Sequence, residues 1–403
     1  MGEVEAFKQR VTAEVDRRAE ALLEASHLIH ARPELCYEEH FACDLLASMC
    51  EGEGLAVERG AYGLETAFVA RSGDGTGPTI AVLCEYDALP GIGHACGHNI
   101  IATAGLGARL AAAALAADTG GRLVVLGTPA EEGGGGKILM GDAGAFDGVD
   151  AAMMVHPAGV DRTEIHAIAI ATWDVEYHGQ AAHAAAFPHR GRNALDAAVL
   201  GYNAVAALRQ HIRPTERVHG IFSRAGDKPN IVPDHTIAQW YVRSDTIETL
   251  QPLKARVLAC LEAGATAAGC TMEHRPTCPE YSDLHTNAAL IDLYRRNSEQ
   301  VGRPLIDTDL SLAVVGSTDM GNVSYRVPSI HPMIRVSPPN VSIHSPEFTG
   351  YAASADGDQA VLDGAKAMAM TVVDLWLQPE AMARVREGFE GDPAVRDALG
   401  REP

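Results

Sequence analysis

Three apolar runs along the chain each close on residues with chemical potential. "TIAVLCEYDAL" (79–89) is unbroken up to Glu85 and Asp87. "GRLVVLGTPAEE" (121–132) runs into Glu131 and Glu132, and "VDAAMMVHP" (149–157) ends at His156. Runs of this length, rich in Val, Leu and Ala, predict strands buried on both faces of a parallel sheet. A helical stretch over about 98–117 separates the first two, so the segment reads as a β-α-β unit with a right-handed crossover. In open α/β sheets, sites assemble at the carboxyl ends of the strands. All of these polar residues fall there.

Upstream, apolar residues recur at helical spacing over about 5–31 and 37–53. From about residue 171 the pattern changes. "ATWDVEYHG" alternates like a half-exposed strand, a helix follows at about 193–211, and "RVHGIFSR" and "HTIAQWYVRSD" read as strands. A second helix covers about 246–268, and "CTMEHRPT" closes the series as a last strand. Strand-helix-strand-strand-helix-strand is the split β-α-β order. It predicts an inserted domain over 171–282, with 1–170 and 283–403 forming the other domain. The chain then returns to helices, to the apolar "PSIHPMIRV", and to a long helix at about 352–376.

With 403 residues, 47% of them hydrophobic, the chain has ample core for more than one domain. A formal net charge of -21 repels nucleic acid and anionic membranes, so neither is an expected partner. The first thirty residues or so have no signal-peptide h-region, and the eight cysteines include no C-x-x-C pair. A cytoplasmic protein with reduced cysteines is the expectation.

The stretch "LPGIGHACGHNIIATAG" (89–105) carries the sharpest signal. Its Gly91, Gly93 and Gly97 have the spacing G-x-G-x-x-x-G, which does not match a dinucleotide-binding loop, and His94 and Cys96 would crowd a pyrophosphate. The tetraglycine before Lys137 is no P-loop either, because Ile138 replaces the required hydroxyl residue. A metal site fits better. Cys96 and His98 supply a thiolate and an imidazole, Glu131 and Glu132 stand side by side, and His156 and His344 add two more imidazoles. Adjacent glutamates point in different directions, so one can bind metal while the other faces a water. Cys96 as a nucleophile would leave the four further metal-type groups without a use.

Six segments occur in fixed order between about residues 30 and 375: "DALPGIGHACGHN", "TPAEEGGGG", "HGQAAHAA", "KPNIVPD", "GSTDMGNVS" and "HSPEF". Together they resemble the aminoacylase/carboxypeptidase family of di-metal amidohydrolases, and its amidohydrolase branch most closely. The resemblance implies a zinc-peptidase-like α/β catalytic domain, a mostly parallel sheet flanked by helices, with an inserted ferredoxin-like α+β lid that also forms a homodimer. It implies that Cys96, His98, Glu132, His156 and His344 are metal ligands and that Glu131 is the general base. It also implies that His183 reaches the partner subunit's active site to stabilise an oxyanion and that Asn230 contacts substrate. Where many relatives outside the branch carry a metal-binding histidine two residues before Asp87, this chain has Glu85. Asp87 is then expected to orient His98 or its neighbours.

The implied reaction is hydrolysis of the amide of an N-acyl or aminobenzoyl amino acid, or of a dipeptide, by a metal-activated water. One or two divalent ions per chain are expected, zinc first on the softness of a thiolate, with manganese or cobalt as alternatives. Arg224, Arg243 and Arg335 are candidates to grip a substrate carboxylate, Arg335 foremost because it ends an apolar strand shortly before His344. The competing readings are a non-catalytic metal-binding protein on the same fold and, disfavoured by the glycine spacing, a nicotinamide-dependent oxidoreductase.

Overall fold

The computed structural model describes residues 2–307 and 315–398. These form two compact units: the described residues up to 166 together with those from 284 onward, and Ala167–Asp283 between them in sequence.

The larger unit is built on a six-stranded sheet. Its order is Val57–Arg59, Phe68–Ser72, Arg122–Thr128, Thr79–Glu85, Ala151–Met153, Ser329–Ile330. The two outermost pairings on the N-terminal side are antiparallel and the other three are parallel. Strand Thr79–Glu85 is buried at every position, as its unbroken apolar run requires. It pairs with Arg122–Thr128 on one side and Ala151–Met153 on the other. The chain therefore reverses direction across the sheet at this strand, and a topological switch point opens a crevice beyond its carboxyl end.

Helix His98–Ala113 links the first two parallel strands and is almost entirely buried, packing with Ala355–Leu377 into the main core. Its small residues permit that closeness. A Cβ at Gly105 would meet Cys84 Sγ and the Leu83 carbonyl oxygen at 2.7 Å.

The smaller unit is a four-stranded antiparallel sheet in the order Thr271–Pro276, Ala169–His178, His235–Ser244, Arg217–Arg224. In chain order that is 4-1-3-2, the split β-α-β arrangement. Trp173, Val175, Tyr177, Ala238, Trp240 and Val242 alternate inward and share a core with helices Ala194–Leu208 and Ile247–Ala268.

Three features depart from the pattern-based expectation. The helix expected over 5–31 is two, Glu3–Arg17 and Ala19–Ala31, broken at Arg18, whose buried guanidinium is held by Glu14 and Glu53. The strand expected to run to His156 stops at Met153. Pairing resumes at His156–Ala158, which lies parallel to Met333–Arg335. The break sits opposite Pro332, which has no N–H to continue the ladder. The antiparallel strands Val57–Arg59, at the sheet edge, and Phe68–Ser72 beside it lie outside the elements expected from pattern.

Candidate metal centre

Beyond the switch point the chain turns through Gly91 to Gly97 and enters helix His98–Ala113. Gly97 has φ +75°, and a Cβ there would lie 2.8 Å from Pro157 Cγ, so a glycine is needed between the two donor residues Cys96 and His98. Cys96 Sγ lies 3.4 Å from His156 Nε2 and 3.4 Å from His344 Nε2. Glu132 Oε1 lies 3.3 Å from His344 Nε2 and 3.9 Å from His98 Nε2. Three sets of donors each converge within 4.8 Å: Cys96, His98 and His156; Cys96, Glu132 and His344; His98, Glu131 and Glu132. The five expected ligands and Glu131 are thus gathered in one place from positions 96 to 344.

The local backbone is committed to this arrangement. Ala130, just before Glu131, and His344 itself both adopt positive φ, 59° and 61°. Non-glycine residues seldom occupy that region, and such strain concentrates at functional sites.

The ligand atoms are oriented from behind. His98 Nδ1 donates to Asp87 Oδ1 at 3.0 Å, and the other Asp87 oxygen accepts from the Glu132 amide at 2.9 Å. His156 Nδ1 donates to the Pro157 carbonyl at 2.8 Å, which turns its Nε2 towards Cys96. Asp87 so links the His98 ring to the Glu132 backbone. The inward atoms His98 Nε2 and Glu132 Oε1 are buried without hydrogen-bond partners among the described residues. Orphaned polar atoms of this kind, aimed at one another's neighbourhood, suit a cation.

The electrostatics agree. Burial pushes the Cys96 thiol up, and Glu132 pushes it further. Burial, Glu85 and Glu132 push the Glu131 carboxyl well above the usual carboxylate range, against the pull of Lys137. Burial works against a charged His98, but Glu85 and Asp87 beside it prevail and raise it. Asp87, despite burial, is held down at about 2 by His98. Protons stand here where a divalent ion would relieve the crowded carboxylates.

Sequence reasoning missed three residues around this cluster. Glu85 Oε1 lies 3.2 Å from His98 Nε2, while its other oxygen is 2.5 Å from Lys137 Nζ. Lys137 Nζ is also 2.7 Å from Asp319 Oδ1, and its backbone N–H donates to Asp319 Oδ2. All three side chains are fully buried. The lysine after the glycine run thus answers the Glu85 that replaces histidine. The signal was present as a lysine and an aspartate in or beside two of the motif segments. His331 is the third. It is buried, both ring nitrogens lack a hydrogen-bond partner among the described residues, and its ring lies 5.2 Å from that of His156.

The remaining expected residues lie elsewhere. His183 and Asn230, both outside the core, are neighbours in the inserted unit. The Ala184 amide donates to the Asn230 carbonyl at 3.0 Å. Arg335 is half exposed, and its partner is Asp161, at 4.0 Å, outside the cluster. Arg224 faces Asp227, and Arg243 lies over the Tyr241 ring.

Comparison with known proteins identifies the family. The family described as Peptidase family M20/M25/M40 matches residues 81–372. The chain is 40% identical over 402 residues to "Xaa-Arg dipeptidase" of Mus musculus, covering 96% of this chain and 93% of the relative. It is 30% identical over 454 residues to a p-aminobenzoyl-glutamate hydrolase polypeptide of Escherichia coli (strain K12), covering 93% and 90%. In fold it is similar to a protein of Bacillus subtilis described as a dinuclear metal binding peptidase from the M20 family. The TM-score is 0.67 at 18% identity, over 89% of this chain and 98% of that one. The chain belongs to peptidase family M20/M25/M40 and is a metallohydrolase of amide or peptide bonds.

Proposed function

We propose that the chain hydrolyses a dipeptide, or the amide of an N-acyl or aminobenzoyl amino acid, with divalent ions held by Cys96, His98, Glu132, His156 and His344. The observation that carries this reading is the convergence of those donors around orphaned His98 Nε2 and Glu132 Oε1, with buried Glu131 beside them. Cys96, His98 and Glu132 each belong to two of the converging sets, an overlap that supports two adjacent ions. The thiolate and imidazoles favour zinc, with manganese or cobalt as alternatives.

When bound, the metal supplies Lewis acidity, lowering the pKa of water towards about 7 and polarising the amide carbonyl. Glu131 takes the proton of the attacking water and returns it to the departing amine. Glu131 stands beside the donor set, where a bound water would meet it. Asp87 holds His98 in the tautomer that leaves Nε2 free. His183 and Asn230 reach the substrate from the inserted unit, His183 from a second chain. Arg335, already facing Asp161, is left out of this reading.

A homodimer through the inserted unit is supported by its bare edge. Strand Arg217–Arg224 has one sheet neighbour among the described residues and exposes Ile221 and Phe222, and helix Ala194–Leu208 exposes Val199, Leu200 and Tyr202. An unprotected apolar edge strand is a template for a second sheet. A cytoplasmic location is supported by eight free cysteines.

Dipeptides of the Xaa-Arg type head the substrate panel, followed by aminobenzoyl-glutamate and N-acyl amino acids. Glu131→Gln should keep its metal and lose about a hundred- to ten-thousand-fold in turnover. Glu132→Gln should lose metal. Equal metal content and equal rates in the two variants would refute the assignment.

A further inference from the structure

One face of the inserted unit's sheet gathers a second group of metal-type side chains. Along strand Ala169–His178, Trp173, Val175 and Tyr177 point into the core, while Asp174, Glu176 and His178 lie on the half-exposed face. His178 stands directly opposite His235 on the neighbouring strand, so both imidazoles and Glu176 share that face. Their rings are stacked, with centroids 4.9 Å apart and planes 10° apart. His235 Nε2 is 2.8 Å from Glu176 Oε2. One donor atom from each of the three residues lies within 4.8 Å of the others.

We propose that Glu176, His178 and His235 form a divalent-cation site of the inserted unit, separate from the catalytic cluster. Two imidazoles and one carboxylate select a borderline ion of the zinc class over magnesium or calcium, and three protein donors leave a position for water. The His235–Glu176 contact alone accounts for one ring. The His178 ring has no hydrogen-bond partner among the described residues, yet it is held parallel to its neighbour.

The surrounding charge favours a cation. Glu273 lies directly opposite Glu176, an arrangement of like charges that costs stability in a sheet. Arg275 reaches Asp174 at 3.2 Å and Glu176 Oε1 at 3.4 Å. Asp174, Glu176 and Glu273 thus outnumber that guanidinium. Arg275 engages Oε1, so Oε2 can turn from His235 to an ion while Arg275 keeps the carboxylate in place.

The test counts zinc in the full chain. Chelator-stripped protein is equilibrated with micromolar free zinc, desalted and analysed for metal per chain. His178→Ala/His235→Ala should carry one equivalent less than the wild type and hydrolyse amide substrate at the wild-type rate. Cys96→Ser/His98→Ala, inactive, should retain the equivalent belonging to the inserted unit. Glu176→Gln, a milder change, should weaken zinc binding at this site by about tenfold or more. An unchanged count in the double histidine variant overturns the proposal, as does the absence of zinc from Cys96→Ser/His98→Ala. Because the histidine variant is read by metal count, failure of the catalytic assignment would leave that result standing.

Discussion

Replacing Lys137 with methionine tests the buried charge cluster behind the metal centre. The side chain keeps its length and loses its charge. Glu85 and Asp319, 2.5 and 2.7 Å from the ammonium, are then left fully buried with no cation between them. Removing one partner of a buried ionic group costs about 3–5 kcal/mol. For a domain of this size about 2–4 °C of melting temperature is lost per kcal/mol, so the fall should be about 6–20 °C.

The deficit should also depend on pH. In the wild type, burial works to raise Glu85 but Lys137 prevails, so Glu85 is held below its ordinary value and contributes stability above about pH 4.3. Without Lys137, burial lifts the folded-state pKa above the unfolded one. Folding then takes up a proton, and stability falls as pH rises between those two values, by about 1.4 kcal/mol per pH unit. Asp319, which burial raises even with Lys137 in place, moves further the same way. Thermal melts of chelator-treated protein from pH 4.5 to 8 should therefore show a small loss at the acid end and the full loss at the alkaline end. The triple change Lys137→Met, Glu85→Gln, Asp319→Asn should recover much of it, since none of the three positions then carries a buried charge. A loss below about 1 kcal/mol, or one equal at every pH, would refute the reasoning.

Three further outcomes follow from the geometry. Asp87→Asn removes the carboxylate that accepts from His98 Nδ1, and should weaken metal affinity by about ten- to a hundredfold in a chelator competition, with the fold retained. Gly97→Ala imposes a left-handed alanine, about 1–2 kcal/mol, and a Cβ 2.8 Å from Pro157 Cγ, so it should lower both the melting temperature and the metal content. His183→Ala and Glu131→Gln should each be nearly inactive alone. Mixed with subunit exchange they should recover about a quarter of wild-type activity, since half the dimers then hold one intact site, and no recovery would place His183 within its own chain.

The central parallel strands, the strands and helices of the inserted unit and the residues with metal chemistry were legible along the chain, because burial on both faces and strict alternation write themselves into local pattern. Thr79–Glu85 and Ala169–His178 are such cases. Local pattern does not report breaks imposed by a distant partner. The ladder breaks between Met153 and His156 because Pro332, far along the chain, lies opposite, and the first helix breaks where Arg18 meets Glu14 and Glu53.

The same limit applies to the site. Cysteine, histidine and paired glutamate point to a metal by their types, and the motif order pointed to the family. That Glu85 is answered by Lys137 and Asp319, that His331 stands beside His156, and that His178 meets His235 across a strand pair are matters of register and burial. A charge buried in low dielectric needs its partner within a few ångströms in space, whatever the separation in sequence, and only the packed tertiary structure decides which residue that is.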